Sequence, residues 1–213
     1  MADQDDDSSL LALLVETSTS FWASDRAGSL GRAEGSGQLV FKEFLEQLLV
    51  YINSFLLLNE DNQLVVFAVH ENCSHILYES PRLRAPAMAA GGVAFSLVEE
   101  RGEVVGSTVV DRIRELPAPP AGGAGQPALS GALSRALCYL RGRIAGSGRC
   151  SQPKILCLQG SQDVTAQYIA CMNCIFSAQK AGITIDACML GRSDSSFLQQ
   201  AVHLTKGVYL KPG

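Results

Sequence analysis

The feature that most constrains the fold is a short apolar run at residues 10–15, Leu-Leu-Ala-Leu-Leu-Val, which is followed at once by Glu16-Thr-Ser-Thr-Ser20. Six apolar residues are too few to cross a membrane. A run of this kind is typical of a central parallel strand that helices cover on both faces. Because the functional loops of parallel sheets follow the carboxyl ends of the strands, we expect any chemistry to lie near Glu16, Ser18 and Ser20.

Composition narrows the class of protein. The 213 residues are 47 % hydrophobic, which is enough for one continuous core, so we predict a single domain over residues 1–213. A net charge of −4 argues against a general nucleic-acid-binding surface. Residues 1–7 are acidic, and the apolar run at residues 10–15 is too short for a signal peptide. We therefore expect an intracellular protein without a membrane span. The seven cysteines are odd in number and lie in apolar segments, which indicates reduced core thiols.

Hydrophobic periodicity divides the chain into alternating strands and helices. Apolar residues at three- and four-residue spacing predict helices at residues 41–56, 103–116, 129–144, 164–180 and 195–204. Short apolar runs predict strands at residues 64–69, 154–158, 183–190 and 207–210, and residues 75–78 are predicted to turn back as a hairpin. Segments rich in Gly, Pro and Ser predict irregular loops at residues 21–37, 81–92 and 117–127. This order predicts a three-layer, Rossmann-like α/β fold with a mostly parallel sheet and one antiparallel edge strand.

The loop after the first strand resembles the D-x-S-x-S loop of von Willebrand factor A-type domains. In those domains a carboxylate and two hydroxyls help to hold a magnesium ion, which requires oxygen ligands in a near-octahedral arrangement. The resemblance implies a degenerate site in this chain, and its five positions are Glu16, Ser18, Ser20, Gly131 and Gln159.

Three of the five positions depart from that pattern. Glu16 carries one methylene more than the usual Asp, Gly131 has no side-chain oxygen where a Thr is expected, and Gln159 is neutral where an Asp is expected. Ser130 is a candidate substitute for the missing Thr oxygen. We therefore expect no bound metal, and we expect the hydroxyls to cap a helix or to bond neighbouring backbone. A metal-dependent ligand-binding domain that uses the Glu16 loop is the alternative.

Four later segments carry a more specific resemblance. They are similar to the family of smaller von Willebrand A-like subunits of the transcription and repair factor TFIIH, and they lie at residues 134–140 (SRALCYL), 167–176 (QYIACMNCIF), 177–190 (SAQKAGITIDACML) and 205–212 (TKGVYLKP). The resemblance implies a non-catalytic scaffold subunit of the nuclear TFIIH core. It implies action in transcription initiation by RNA polymerase II and in nucleotide excision repair.

The same resemblance implies partners and a cofactor. It implies tight pairing with the larger von Willebrand A-containing subunit through the RING-like zinc region of that subunit, and contacts with other TFIIH core subunits. It also implies a cysteine-rich zinc module after the A domain, which residues 1–213 do not include. We therefore assign no zinc ligand and no other cofactor to residues 1–213.

The predicted helix at residues 164–180 has more apolar surface than one core-facing side requires. Tyr168, Cys171, Met172 and Ile175 can face the sheet, whereas Ile169 and Phe176 widen the apolar arc. Extra apolar width indicates either deep burial or docking on another protein. The predicted partner-binding residues are Ile169, Met172, Asn173 and Phe176.

Other chemistry has weaker support. The pair Cys171-x-x-Cys174 lies inside a predicted helix, whereas redox pairs of this spacing lie at a helix start, so we interpret it as core. His70 is predicted to be a loop residue, and Asp186 in an apolar strand requires a hydrogen-bonding partner. A small-molecule enzyme is a further alternative, but the sequence has no nucleophile elbow, P-loop or dinucleotide fingerprint.

Overall fold

The computed structural model describes residues 9–27, 41–84, 100–117, 125–147 and 152–212. Its strands are β1 (Ser9–Glu16), β2 (Gln63–His70), β3 (Cys73–Glu79), β4 (Gln152–Gln159), β5 (Thr184–Met189) and β6 (Tyr209–Leu210). Its helices are α1 (Thr19–Ala27), α2 (Phe41–Leu58), α3 (Pro81–Arg84), α4 (Glu100–Arg114), α5 (Leu129–Ser147), α6 (Tyr168–Ala181) and α7 (Ser196–Thr205).

The strands form one six-stranded sheet in the order β3-β2-β1-β4-β5-β6. Strand β1 is central and pairs in parallel with β2 and with β4, so that Leu13 lies beside Val66 on one side and Leu156 on the other. Only β3 is antiparallel among the described strands, and it forms the predicted hairpin with β2. The predicted fold class is therefore confirmed.

Both faces of the sheet carry a hydrophobic core. On the first face, helices α5, α6 and α7 cover alternate strand residues, so that Leu14 belongs to one cluster with Leu133 and Ile175. On the second face, α2 and α4 cover the residues between, so that Leu13 belongs to a cluster with Leu48. Strand β1 is buried on both faces because helices lie above and below it.

Two helix ends follow the sequence directly. Gly182 adopts a left-handed conformation (φ 68°) and its N–H bonds the last turn of α6, so the predicted stop of this helix is confirmed. Ser195 caps α7, because its hydroxyl accepts the N–H of Leu198 at 3.1 Å. Helix α6 begins at Tyr168 and not at residue 164, because Thr165–Gln167 form a tighter 3-10 turn.

The three predicted irregular loops require correction where the structure describes them. Residues 21–27 belong to helix α1, because Trp22 packs on Phe44 of α2 with ring centroids 5.1 Å apart. Residues 81–84 form helix α3, since Leu83 is buried. In the third predicted loop, residues 117–127, Pro127 forms an isolated antiparallel β-bridge with Glu71. The remaining residues of these segments, 28–37, 85–92 and 118–124, lie outside the described residues.

The exposed large hydrophobic side chains of the described residues fall into two groups. One group, the α6 patch, consists of Tyr168, Ile169 and Phe176. The other group lies on the second face and includes the α2 patch (Val50, Tyr51, Leu57 and Leu58) together with Val208 and Leu210 beside the edge strand. No described helix combines the length and the apolar content that crossing a bilayer requires.

Candidate functional site

Strands β2 and β4 flank the central strand β1 in parallel, so the carboxyl ends of all three lie side by side along the C-terminal edge of the sheet. The chain crosses from β1 to β2 in one direction and reaches β4 in the other, so this edge is the topological switch point of the fold. Open α/β sheets bind ligands at such points. Glu16 ends β1 here, and Gln159 ends β4.

Glu16 is fully buried, and both of its carboxylate oxygens accept hydrogen bonds from the chain itself. Oε2 accepts the backbone N–H groups of Gly160 at 2.7 Å and Ser161 at 2.8 Å. Oε1 accepts the hydroxyl of Ser18 at 2.5 Å and that of Ser161. Four donors match the capacity of a carboxylate, so Glu16 joins the end of β1 to the loop after β4.

Aromatic residues of α1 cover this carboxylate. The indole N–H of Trp22 donates to the backbone carbonyl of Glu16 at 3.0 Å. The ring of Phe21 lies against Gly160 so closely that a Cβ on Gly160 would be 2.0 Å from the ring. Gly160 is therefore required for this close approach, and the helix that follows the loop covers the edge of the sheet.

The structure brings together only some of the five predicted metal-site positions. Glu16 and Gln159 line one small pocket, and Ser18 bonds Glu16. The backbone N–H of Ser20 instead donates to Glu71 at 3.0 Å. Gly131 lies in the first turn of α5 on the exposed surface.

The candidate substitute oxygen is also engaged elsewhere. The hydroxyl of Ser130 donates to the side-chain oxygen of Gln167 at 2.9 Å, and the backbone N–H of Ser130 donates to the same atom at 3.0 Å. Gln167 in turn donates to the carbonyl of Pro127 at 2.9 Å. These bonds tie the start of α5 to the segment before α6.

Sequence reasoning missed a second buried acid at this edge. Glu71 follows β2 directly, accepts the Thr19 hydroxyl at 2.7 Å, and places Oε2 3.0 Å from Nδ1 of His70. Burial by itself raises the pKa of Glu71, but the hydrogen bonds from Thr19 and Ser20 and the nearby His70 ring lower it overall. Its position directly after an apolar run was the available signal, since Glu16 also comes directly after an apolar run at the end of β1.

His70 is not the loop residue that the sequence predicted. It ends β2, is 3 % exposed, and places Nε2 2.9 Å from the carbonyl oxygen of Pro117. Its Nδ1 lies 3.1 Å from the carbonyl oxygen of Thr17. The ring therefore connects the loop after β1 to the segment that follows α4.

The donor set at this edge does not fit a divalent cation well. A magnesium ion requires free oxygen lone pairs, whereas the oxygens of Glu16 already accept four hydrogen bonds. Within the described residues, no group of three or more His, Cys, Asp or Glu side chains could hold a metal ion. A cavity of about 10 Å³ beside Gln159 and Asp163 has room for one water at most, not for a substrate.

The predicted partner-binding residues lie together on α6. Ile169 is 73 % exposed and Phe176 is 46 % exposed, Asn173 is exposed, and Met172 is half-buried against the core. Tyr168 departs from the prediction that it faces the sheet, because it is 44 % exposed and its ring packs on Phe197. Cysteines 171 and 174 lie inside the helix as interpreted, and burial raises the pKa of Cys171 to about 12.

Comparison with known proteins identifies the family. The family model described as transcription factor Tfb4 matches residues 8–213. The chain belongs to the Tfb4 family. It is 37 % identical to the general transcription and DNA repair factor IIH subunit TFB4 of Arabidopsis thaliana, over 97 % of this chain and 66 % of that protein. It is 35 % identical to general transcription factor IIH subunit 3 of Dictyostelium discoideum, over 81 % of this chain and 49 % of that protein.

Solved structures show the same fold. The TFIIH p34 N-terminal domain superposes with a TM-score of 0.74 at 24 % identity, covering 99 % of this Tfb4 family chain and 94 % of that chain. The Rpn10 VWA domain superposes with a TM-score of 0.62 at 13 % identity, covering 96 % and 87 %. These likenesses confirm the von Willebrand A-type fold.

The relatives place the Tfb4 family in transcription and DNA repair, as subunits of TFIIH. The chain spans about half to two thirds of the length of these two relatives. The resemblance inferred from residues 134–212 is therefore confirmed at the level of family and fold.

Proposed function

We propose that this chain is a non-catalytic scaffold of the nuclear TFIIH core, acting in RNA polymerase II transcription initiation and nucleotide excision repair. Membership of the Tfb4 family supports the assembly. The filled edge of the sheet supports a non-catalytic role without a metal, because Glu16 bonds the loop after β4 where a ligand-binding site would need open donors and acceptors.

The observation that carries the scaffold role is the α6 patch. Ile169 is among the most exposed large apolar side chains of the described residues, yet it lies in a well-formed helix whose other side is fully buried. Exposed apolar surface of this kind marks protein–protein contact sites. We assign this patch, with Met172 and Asn173, to docking of the larger von Willebrand A-containing TFIIH subunit.

Co-purification with the larger subunit tests this assignment. The double variant Ile169→Glu with Phe176→Glu places two charges on the patch, so we expect pairing to be lost while the circular dichroism spectrum is unchanged. The matched control is Leu57→Glu with Leu58→Glu, which alters two leucines on α2 that are 71 % and 81 % exposed.

The control also separates the two apolar groups. Pairing that survives the α6 changes but not the α2 changes would reject the α6 patch as the docking surface. Pairing of the wild-type chain is expected to be insensitive to EDTA, whereas loss of pairing in EDTA would favour the metal-dependent alternative.

A further inference from the structure

Helix α6 presents a convex ridge with a regular spacing. Ile169, Met172 and Phe176 follow the i, i+3, i+7 pattern of one helix face, and Lys180 continues it one turn later. Lys180 lies eleven positions after Ile169, which is about three turns and about 16 Å along the helix axis. The buried residues Cys171, Ile175 and Ala178 lie on another side. The ridge therefore carries exposed Ile169 and Phe176 with half-buried Met172 between them, and it ends in a single cation.

The helices around the ridge carry no acid, and Asp163, the described acid that acts on Cys171 of α6, precedes the helix at the end opposite to Lys180. Neither α6 nor the adjacent α7 has an Asp or Glu, although the whole chain carries a net charge of −4. Lys180 is exposed and makes no ion pair with any described residue. The negative end of the helix dipole interacts favourably with Lys180 in the last turn of α6. Its ammonium group stays in solvent, where a partner can reach it.

The α2 patch has the opposite electrostatic border. Leu57 and Leu58 are followed within three residues by exposed Glu60 and Asp61. An acidic partner surface would be repelled there and attracted to the end of α6. Charge therefore distinguishes two apolar surfaces that exposure alone does not.

We propose that the α6 ridge inserts into a concave apolar groove of the larger TFIIH subunit, and that a carboxylate of the groove's rim pairs with Lys180. This inference rests on the proposed docking role of the α6 patch. A helix that exposes its apolar residues at i, i+3 and i+7 fits a groove better than a flat surface. The ion pair fixes the direction in which the ridge lies in the groove, since only one end carries a charge.

Binding kinetics of the variants Lys180→Glu and Lys180→Gln with the larger subunit test the proposal. Lys180→Glu is expected to weaken binding roughly five- to ten-fold at low salt, mostly through the association rate, and Lys180→Gln by less. Wild-type binding is expected to weaken as salt rises, and both variants are expected to lose most of that dependence. The matched control is Lys154→Glu, which changes an exposed lysine of β4 on the opposite face of the sheet.

The results separate this inference from the proposed function. If the Ile169 and Phe176 double variant binds normally, the docking role fails and the inference fails with it. If that variant does not bind but Lys180→Glu binds like the wild type with unchanged salt dependence, the docking role stands and the acidic rim is rejected. An equal effect of Lys154→Glu would also reject the rim, because a general charge effect would explain both. Thermal unfolding of each variant confirms that the fold is intact.

Discussion

At the scale of single residues, Glu16 joins the end of β1 to the loop after β4. Its side chain reaches the backbone N–H groups of Gly160 and Ser161, which both donate to Oε2. Asp186 follows the same principle, because its carboxylate accepts the N–H of Val208 at 2.8 Å beside the edge strand. In both cases an acid in an apolar strand is stabilised by backbone donors.

Glu16→Gln tests the structural role of this carboxylate. The amide group must direct its NH₂ toward a donor of this cluster, so a buried donor loses its acceptor. We expect the free energy of unfolding to fall by about 2 to 3 kcal/mol, measured by urea denaturation. Exposed Glu60→Gln is the control, for which we expect a change within about 0.5 kcal/mol. A neutral effect of Glu16→Gln would show that the hydrogen bonds contribute little to stability.

At the scale of helices and strands, local sequence was sufficient where apolar residues repeat at helical spacing or form an unbroken run. The stripe of α2 and the apolar runs of β1 and β2 predicted these elements, and the structure places Leu48, Leu13 and Val66 in one cluster. Local composition failed where order depends on distant residues. Helix α1 looked like a loop because its sequence is rich in small residues, and its order depends on Trp22 packing on Phe44, with ring centroids 5.1 Å apart.

The candidate site was only partly predictable for the same reason. The spacing of Glu16 and Ser18 located the edge, because both belong to one loop. The role of Glu71 depends on β2 lying beside β1, and the role of Gln167 depends on contact with α5, so neither follows from local sequence. Helix α5 also continues to Ser147, three residues beyond its predicted end at residue 144.

Two glycine substitutions are expected to change the stability of the fold in opposite directions. A Cβ on Gly191 would lie 2.0 Å from the carbonyl oxygen of Gly160, so we expect Gly191→Ala to destabilise the fold by about 2 kcal/mol or more. A Cβ on Gly142 meets nothing within 4 Å, and Ala favours a helix, so we expect Gly142→Ala to stabilise by about 0.5 to 1 kcal/mol. Chemical denaturation measures both, and equal signs would contradict the structure.

At the scale of the whole molecule, the sheet and its two layers of helices protect thiols to very different extents. Cys157 on β4 and Cys171 on α6 are buried in the same cluster, whereas Cys138 on α5 is exposed. Burial raises the pKa of Cys157 far above its ordinary value, so almost none of it is thiolate at neutral pH. The six described cysteines are free thiols, but the prediction that they are core thiols is wrong for Cys138, which is exposed.

Alkylation of the folded chain by iodoacetamide, followed by mass spectrometry, tests this protection. At neutral pH we expect Cys138 to react first and Cys157 and Cys171 to react together and slowly, because both become accessible only when the core opens. In urea all three are expected to react at similar rates. Fast modification of Cys171 under native conditions would show that α6 separates from the sheet without global unfolding.

The apolar side chains of the second face have a practical consequence for the chain on its own. Leu57, Leu58, Val208 and Leu210 are each more than half exposed, while the net charge of −4 is modest for 213 residues. With so little repulsion to oppose hydrophobic attraction, copies of the isolated chain are expected to associate as concentration rises, most strongly near the isoelectric point of about 5.4. Buffers well above that pH are the conditions in which the chain is expected to stay dispersed.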